Sequence, residues 1–280
     1  MAPTGTDHRL TALIASLHEL SVQVAVGAGE VARAGRARGF EVGTKSTDTD
    51  LVTGVDRAVE GWLAAAIHQA RPNDGLLAEE GAARTGTSGV RWVIDPIDGT
   101  VNFALGLPHY AVSVAAELDG TVVAGCVHNP ESAETYSAAR GAGALLAQPG
   151  RPSRALSGPR SVELARSVVG TGFGYAAEQR ARQGEFVSRL LPRIGDIRRL
   201  GAASLDLCAV ASGRLDAYFE VGLNHWDYAA GLLIATEAGC IASGPAGHEP
   251  GSRLIVVSGA GLAEPFAELL TELGIDAVST

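Results

Sequence analysis

The stretch Trp92-Val93-Ile94-Asp95-Pro96-Ile97-Asp98-Gly99-Thr100 joins an apolar, β-branched run to two aspartates three positions apart and then to a glycine. Pro96 fixes its own φ and disfavours helix at Asp95, so the reading is a strand over 90–94 with the Asp95 acid at its end. Gly99 then lets the backbone turn sharply. Two carboxylates and the Ile97 carbonyl can converge on one point, an oxygen donor set suited to a hard divalent cation such as Mg²⁺. If a helix starts after Gly99, the amides of Gly99 and Thr100 point at a phosphate. The plainer alternative is a strand followed by an Asp-Gly turn whose acids only cap the turn.

Outward from this stretch, Leu10, Leu13, Ile14, Leu17, Leu20 and Val24 recur at helical spacing up to a Gly- and Arg-rich stop at 35–39. A polar loop, Lys45 to Asp50, leads to a second helical pattern (Val55, Val59, Trp62, Leu63, Ile67) that must end before Pro72. Two helices are thus expected before the first strands. Leu76-Leu77-Ala78 reads as a short strand followed by Glu79-Glu80. A meander is expected from 111–118, the Asp119-Gly120 turn and 121–127, continuing through 135–137 and 144–146. The Pro-, Gly-, Ser- and Arg-rich segment 148–160 divides the chain into an N-terminal α+β half, 1–150, and a C-terminal α/β half, 151–280. In the second half, 168–169, 215–220 and 254–257 read as strands, and 177–191, 203–212, 227–238 and 261–273 as helices. The class is layered α and β with mixed sheets.

With 280 residues and 46% hydrophobic composition the chain can bury a substantial core. A formal net charge of −9 argues against a protein whose main work is gripping nucleic-acid phosphates. Cys126, Cys208 and Cys240 lack paired spacing and read as reduced, buried thiols of a cytoplasmic protein. No signal peptide and no run of about 18 apolar residues expected of a membrane span are found. The seven histidines form no zinc-like cluster, and Gly170-Thr171-Gly172-Phe173-Gly174 lacks the spacing of a dinucleotide loop. Arg198-Arg199 offers contact with an anionic substrate, with a subunit interface or a solvated face as the favoured reading.

Two further acidic sites are weaker alone: Glu79-Glu80 fits a solvated loop, and Asp227 after Trp226 fits an acid favoured by a helix dipole. Together, however, four places resemble the inositol monophosphatase family, of the bacterial inositol-1-monophosphatase type among the lithium-sensitive phosphatases. They are Lys45 through Thr53 with Asp56, Ala78-Glu79-Glu80-Gly81, Asp95 through Thr100 with Asn102-Phe103, and Trp226-Asp227 with Ala229-Ala230-Gly231.

The resemblance implies a layered α-β-α-β-α sandwich of the inositol monophosphatase and sugar phosphatase type. It implies two or three Mg²⁺ ions, one held by Glu79, Asp95 and the Ile97 carbonyl and a second by Asp95, Asp98 and Asp227. It also implies hydrolysis of a small phosphate monoester, foremost myo-inositol 1-phosphate, by a metal-activated water that Glu79 and Thr100 orient, with Asp56 bonded to Thr100. Phosphate contacts then fall to Gly99 and Thr100, and contacts to the alcohol to Asp98, Asp227, Gly201, Ala203 and Glu220. Lys45 is expected near the phosphate or metal charge. Asp48 stands where the family commonly has proline, which bears on a third metal, and Ala78 stands where glycine often precedes the glutamates. A homodimer is implied. Rival readings are histidinol-phosphate, fructose 1,6-bisphosphate or nucleotide 3′-phosphate hydrolysis, or a regulatory protein that binds the transcription machinery.

Overall fold

The computed structural model describes residues 5–40, 42–44 and 51–278. Lys45, Asp48 and the rest of their loop lie outside the described residues. The chain opens with α1 (Gly5–Arg38), the short antiparallel strands β1 (Val42–Thr44) and β2 (Leu51–Thr53), and α2 (Gly54–Ala70). The expectation that two helices precede the first strands is therefore corrected, because β1 and β2 pair between them. Three residues each, they carry no readable periodicity.

Next come β3 (Gly75–Ala78), β4 (Ala83–Arg84), β5 (Val90–Asp98), the short α3 (Thr100–Ala104), and β6 (Ala111–Leu118), β7 (Thr121–Asn129), β8 (Glu134–Ala139), β9 (Ala144–Gln148) and β10 (Arg151–Ala155). They form an eight-stranded sheet in the order β10-β9-β8-β7-β6-β5-β3-β4, antiparallel except where β3 runs parallel to β5. The meander reading holds. This sheet reaches Ala155, past the division drawn at 150.

The remaining elements are β11 (Val168–Thr171), α4 (Ala177–Leu190), β12 (Asp196–Arg198), α5 (Ala203–Ala211), β13 (Ala217–Glu220), α6 (His225–Glu237), β14 (Ile241–Ser243), β15 (Ile255–Ser258), α7 (Ala263–Glu272) and α8 (Ile275–Val278). A second, mixed sheet runs β12-β11-β13-β15-β14, with β11 parallel to both of its neighbours.

Side-chain alternation sorts the strands into layers. On β5, Trp92 and Ile94 enter the core shared with α1 and α2, whereas Val93 enters the core shared with α5 and α6. On β13, Tyr218 faces α5 and α6, whereas Ala217 and Phe219 face α4 and α7. The order is thus helices, large sheet, helices, small sheet, helices, the expected α-β-α-β-α sandwich. By length and apolar composition alone α1 would also pass as a membrane span, but here Leu17, Ser21, Val24, Ala25, Ala28 and Ala32 form a buried stripe against the large sheet. One buried acid braces this layer. Asp74 accepts from Arg71 Nε at 2.7 Å, Ser88 Oγ at 2.7 Å and Trp92 Nε1 at 2.9 Å.

Candidate active site

The strand carrying Asp95 does not end at Ile94 as expected. β5 continues to Asp98, and its pairing with β6 slips between Asp95 and Asp98. In an unbroken strand, positions three apart face opposite sides of the sheet; this irregularity lets both acids join one charge cluster. Asp95 Oδ1 accepts the Ile97 amide at 3.0 Å, which holds the slip closed.

Gly99 follows with φ of 90°, a left-handed conformation that favours glycine. A Cβ there would also fall 3.1 Å from the carbonyl oxygens of both Gly201 and His109. The turn therefore packs directly on Gly201, where Asn102 Nδ2 bonds the carbonyls of His109 at 2.7 Å and Leu200 at 2.8 Å. Thr100 Oγ1 lies 3.1 Å from Asp56 Oδ1 and 3.0 Å from the Ile97 oxygen, either of which accepts its one proton. The expected Asp56–Thr100 contact is present.

Asp98 is anchored by the start of α5: Oδ2 accepts the Ser204 amide at 2.7 Å and its hydroxyl at 2.5 Å, and Oδ1 accepts the Ala203 amide at 3.2 Å. Ala203, expected beside the substrate alcohol, lines the cleft, but its amide is engaged in this way. Asp227 is both an acid at a helix start and a member of the cluster. It closes a capping box with Asn224, whose amide donates to Asp227 Oδ2 at 2.6 Å, and it lines the same cleft.

The sequence reading missed Glu60. One helical turn after Asp56 on α2, its buried carboxylate accepts the Glu80 amide at 2.6 Å and the Ala82 amide at 2.9 Å. That grip shapes the turn that presents Glu79. The signal was present as helical spacing from Asp56, but the partner backbone lies in a distant loop. Ser204 was missed for the same reason.

These acids share a cleft of about 460 Å³ lined by Glu79, Asp98, Thr100, Gly201, Glu220 and Asp227, among others; Asp95 is buried beneath it. Burial raises the Asp95 carboxyl well above its ordinary range, and Glu79, Asp98 and Asp227 raise it further. Burial pushes Asp98 up to about 7, against the pull of its Ser204 bonds and with help from Asp206 and Glu79. Burial, Asp98 and Glu79 raise the Asp227 carboxyl well above its ordinary range. Glu220 closes the other end. Burial pushes it up to about 7, Tyr218 donates to its Oε2, and Asp206 adds to the upward push. A Cβ at Gly172 would fall 2.1 Å from both Glu220 oxygens, so only glycine leaves room for this carboxylate.

Buried acids crowded this way favour protonation or a cation. The donors are all oxygen, a set that fits a hard divalent ion and not a thiophilic one. Among the described residues no three His, Cys, Asp or Glu side chains already stand as a closed cage.

The family model described as the inositol monophosphatase family matches residues 14–279. An inositol-1-monophosphatase of Mycobacterium bovis is 45% identical over 249 residues, covering 87% of this chain and 84% of its own. A Pasteurella multocida protein named Nus factor SuhB is 39% identical over 224 residues, covering 79% and 82%. Among solved structures, Mycobacterium tuberculosis SuhB superposes with a TM-score of 0.81 at 39% identity, covering 94% of this chain and 98% of its own. The suhB protein of Bartonella henselae superposes at 0.85 with 30% identity, covering 92% and 99%.

Proposed function

The chain belongs to the inositol monophosphatase family and is a phosphatase, a phosphoric monoester hydrolase, and from that premise we propose that it hydrolyses small polyol phosphates, foremost myo-inositol 1-phosphate, with Mg²⁺ as its cation. The observation that carries this reading is the cluster of buried Asp95 and Asp98 with half-buried Asp227, without a basic partner among the described residues, beside the Gly99–Thr100 turn. Glu79, Asp95, the Ile97 carbonyl, Asp98 and Asp227 would hold the ions. When bound, the ions lower the pKa of a water and offset charge on the phosphate and the departing oxygen.

The remaining steps belong to the chain itself. Asp56 accepts the Thr100 proton, which leaves the Thr100 lone pairs to accept from the attacking water. With Glu79, Thr100 thereby aims that water at phosphorus on the side opposite the ester oxygen. The P–O bond to the alcohol breaks, and the alcohol leaves with a proton from solvent. The backbone of Gly99 and Thr100 steadies the phosphate oxygens. Asp98, Asp227, Glu220 and the Gly201–Ala203 backbone contact the alcohol.

We further place the protein in the cytoplasm, supported by three buried, unpaired cysteines. We infer a homodimer, supported by Leu105 and Leu107, 69% and 47% exposed on one loop. The resemblance also leads us to expect inhibition by lithium.

The test is phosphate release from inositol 1-phosphate, histidinol phosphate, fructose 1,6-bisphosphate and a nucleotide 3′-phosphate, with Mg²⁺ or with EDTA. Mg²⁺-dependent release with inositol 1-phosphate fastest is expected; no release from any would sink the proposal. A second reading, a partner of the transcription machinery, draws on the relatives named Nus factor SuhB. A polymerase pull-down with a catalytically dead variant distinguishes the two.

A further inference from the structure

Arg199 is the one basic residue lining the cleft among the described residues. Other arginines of this half are spent on pairs: its sequence neighbour Arg198 binds Asp196 at 2.6 Å, Arg193 binds Glu272 at 2.9 Å and Arg214 binds Glu134. Arg199 has no ion pair or hydrogen bond among the described residues. Its place is nonetheless defined, since a Cβ at Gly201, where φ is 91°, would fall 2.5 Å from Arg199 Nη1. The guanidinium therefore lies over Gly201 in the cleft wall, near enough to Glu220 and Asp206 for its charge to pull against their raised carboxyls.

Resting on the phosphatase reading above, the geometry points to Arg199 as a specificity-determining residue that receives a second anionic group, a phosphate or carboxylate, on the alcohol being released. A cleft otherwise lined with Glu79, Asp98, Glu220 and Asp227 repels an ester that carries a second anionic group more than one that carries only the scissile phosphate. An unpaired guanidinium at the alcohol end reverses that bias, because its planar donors match phosphate and carboxylate oxygens two at a time. The substrate class thereby widens from neutral polyol phosphates to phosphate esters with a distal anion.

Fructose 1,6-bisphosphate and fructose 1-phosphate share the scissile ester and differ only in the distal phosphate. The ratio of their kcat/KM values, bisphosphate over monophosphate, is measured for the wild type, Arg199→Ala and Arg199→Lys. Loss of one charge-assisted contact should lower this ratio about 10- to 100-fold in Arg199→Ala, mainly through KM, with part of it recovered in Arg199→Lys. An unchanged ratio overturns the inference, as does an equal fall on both esters. If the wild type cleaves neither ester, the phosphatase reading is decided separately by phosphate release from inositol 1-phosphate, and thermal shifts with the two ligands in Mg²⁺ still read Arg199. A larger shift with the bisphosphate that Arg199→Ala removes upholds the inference. Equal shifts for the two ligands refute it.

Discussion

The molecule buries two kinds of acid, and they differ in what surrounds them. Asp74 under the large sheet and Glu117 on β6 would both be pushed up by burial, yet both are held below the ordinary carboxylate range. Arg71, Ser88 and Trp92 do this for Asp74, and His225 and Arg91, each at 2.6 Å, do it for Glu117. Asp95 and Asp98 are also buried and Asp227 is half-buried beside them, but these three face one another, and all three are raised. Where the chain needs an acid for architecture, it supplies the cation itself. Where three acids meet without one, the compensation must come from outside the chain, either a proton or a metal ion.

The sharpest way to break this contrast is Asp95→Asn, which removes a charge that the proposed arrangement uses for both cations. Turnover should fall by at least roughly 10³-fold while the circular dichroism spectrum stays native. Activity within tenfold of wild type would mean the cluster is not the catalytic centre.

A second measurement compares thermal midpoints with EDTA and with Mg²⁺ at pH 5 and pH 8. The raised carboxyls are protonated in the fold at low pH, so the metal-free protein should lose stability as pH rises from the ordinary carboxylate range through about 7, the value for Asp98. A cation takes the place of those protons. Its stabilisation should therefore be larger at pH 8, on the order of 5 °C or more, than at pH 5. Equal increments at both pH values would show that the acids are compensated within the chain.

Much of this site was legible because its signals are local. Pro96 and Gly99 act on their own φ angles, so the turn from Asp95 to Thr100 could be placed without knowing what it packs against. The strand extension from Ile94 to Asp98 was not legible, because it depends on pairing with β6 far along the chain, where Asp98 lies opposite Ala111. The short strands β1, β2, β4, β12 and β14 were also missed, being too short to show a period. Arg199 was legible as half of a basic pair that could meet an anionic substrate, but not as the member that lines the cleft. Its difference from Arg198 is a matter of which face the chain presents after β12, and no spacing rule carries that.

The architectural side of the comparison is tested by Asp74→Asn. The amide can still accept from Trp92 but leaves Arg71 without its anion, and a loss of about 2–3 kcal/mol at pH 7 is expected in urea unfolding. Because the folded pKa of Asp74 is depressed, its stabilisation is present above the unfolded value and is lost as pH falls through the folded one. The difference between variant and wild type should therefore shrink below about pH 4. Turnover of the folded variant should be near that of the wild type, since Asp74 touches neither the cleft nor its lining. A stability difference that grows in acid would contradict the sign assigned to Asp74.

Glu60 stands between the two kinds of acid, an architectural carboxylate whose object is a functional one. It holds the amides of Glu80 and Ala82 at 2.6 and 2.9 Å, and through them it sets where Glu79 points. Glu60→Gln keeps the volume but turns an NH₂ group toward one of those amides, so the turn loosens while the core is preserved. A residue that positions a metal ligand should change cation affinity before it changes chemistry. We expect about a tenfold weaker apparent Mg²⁺ affinity by calorimetry, with kcat at saturating Mg²⁺ within about threefold of wild type. The opposite pattern, an unchanged affinity with a depressed kcat, would place Glu60 in the reaction itself and remove the distinction drawn between the two kinds of acid.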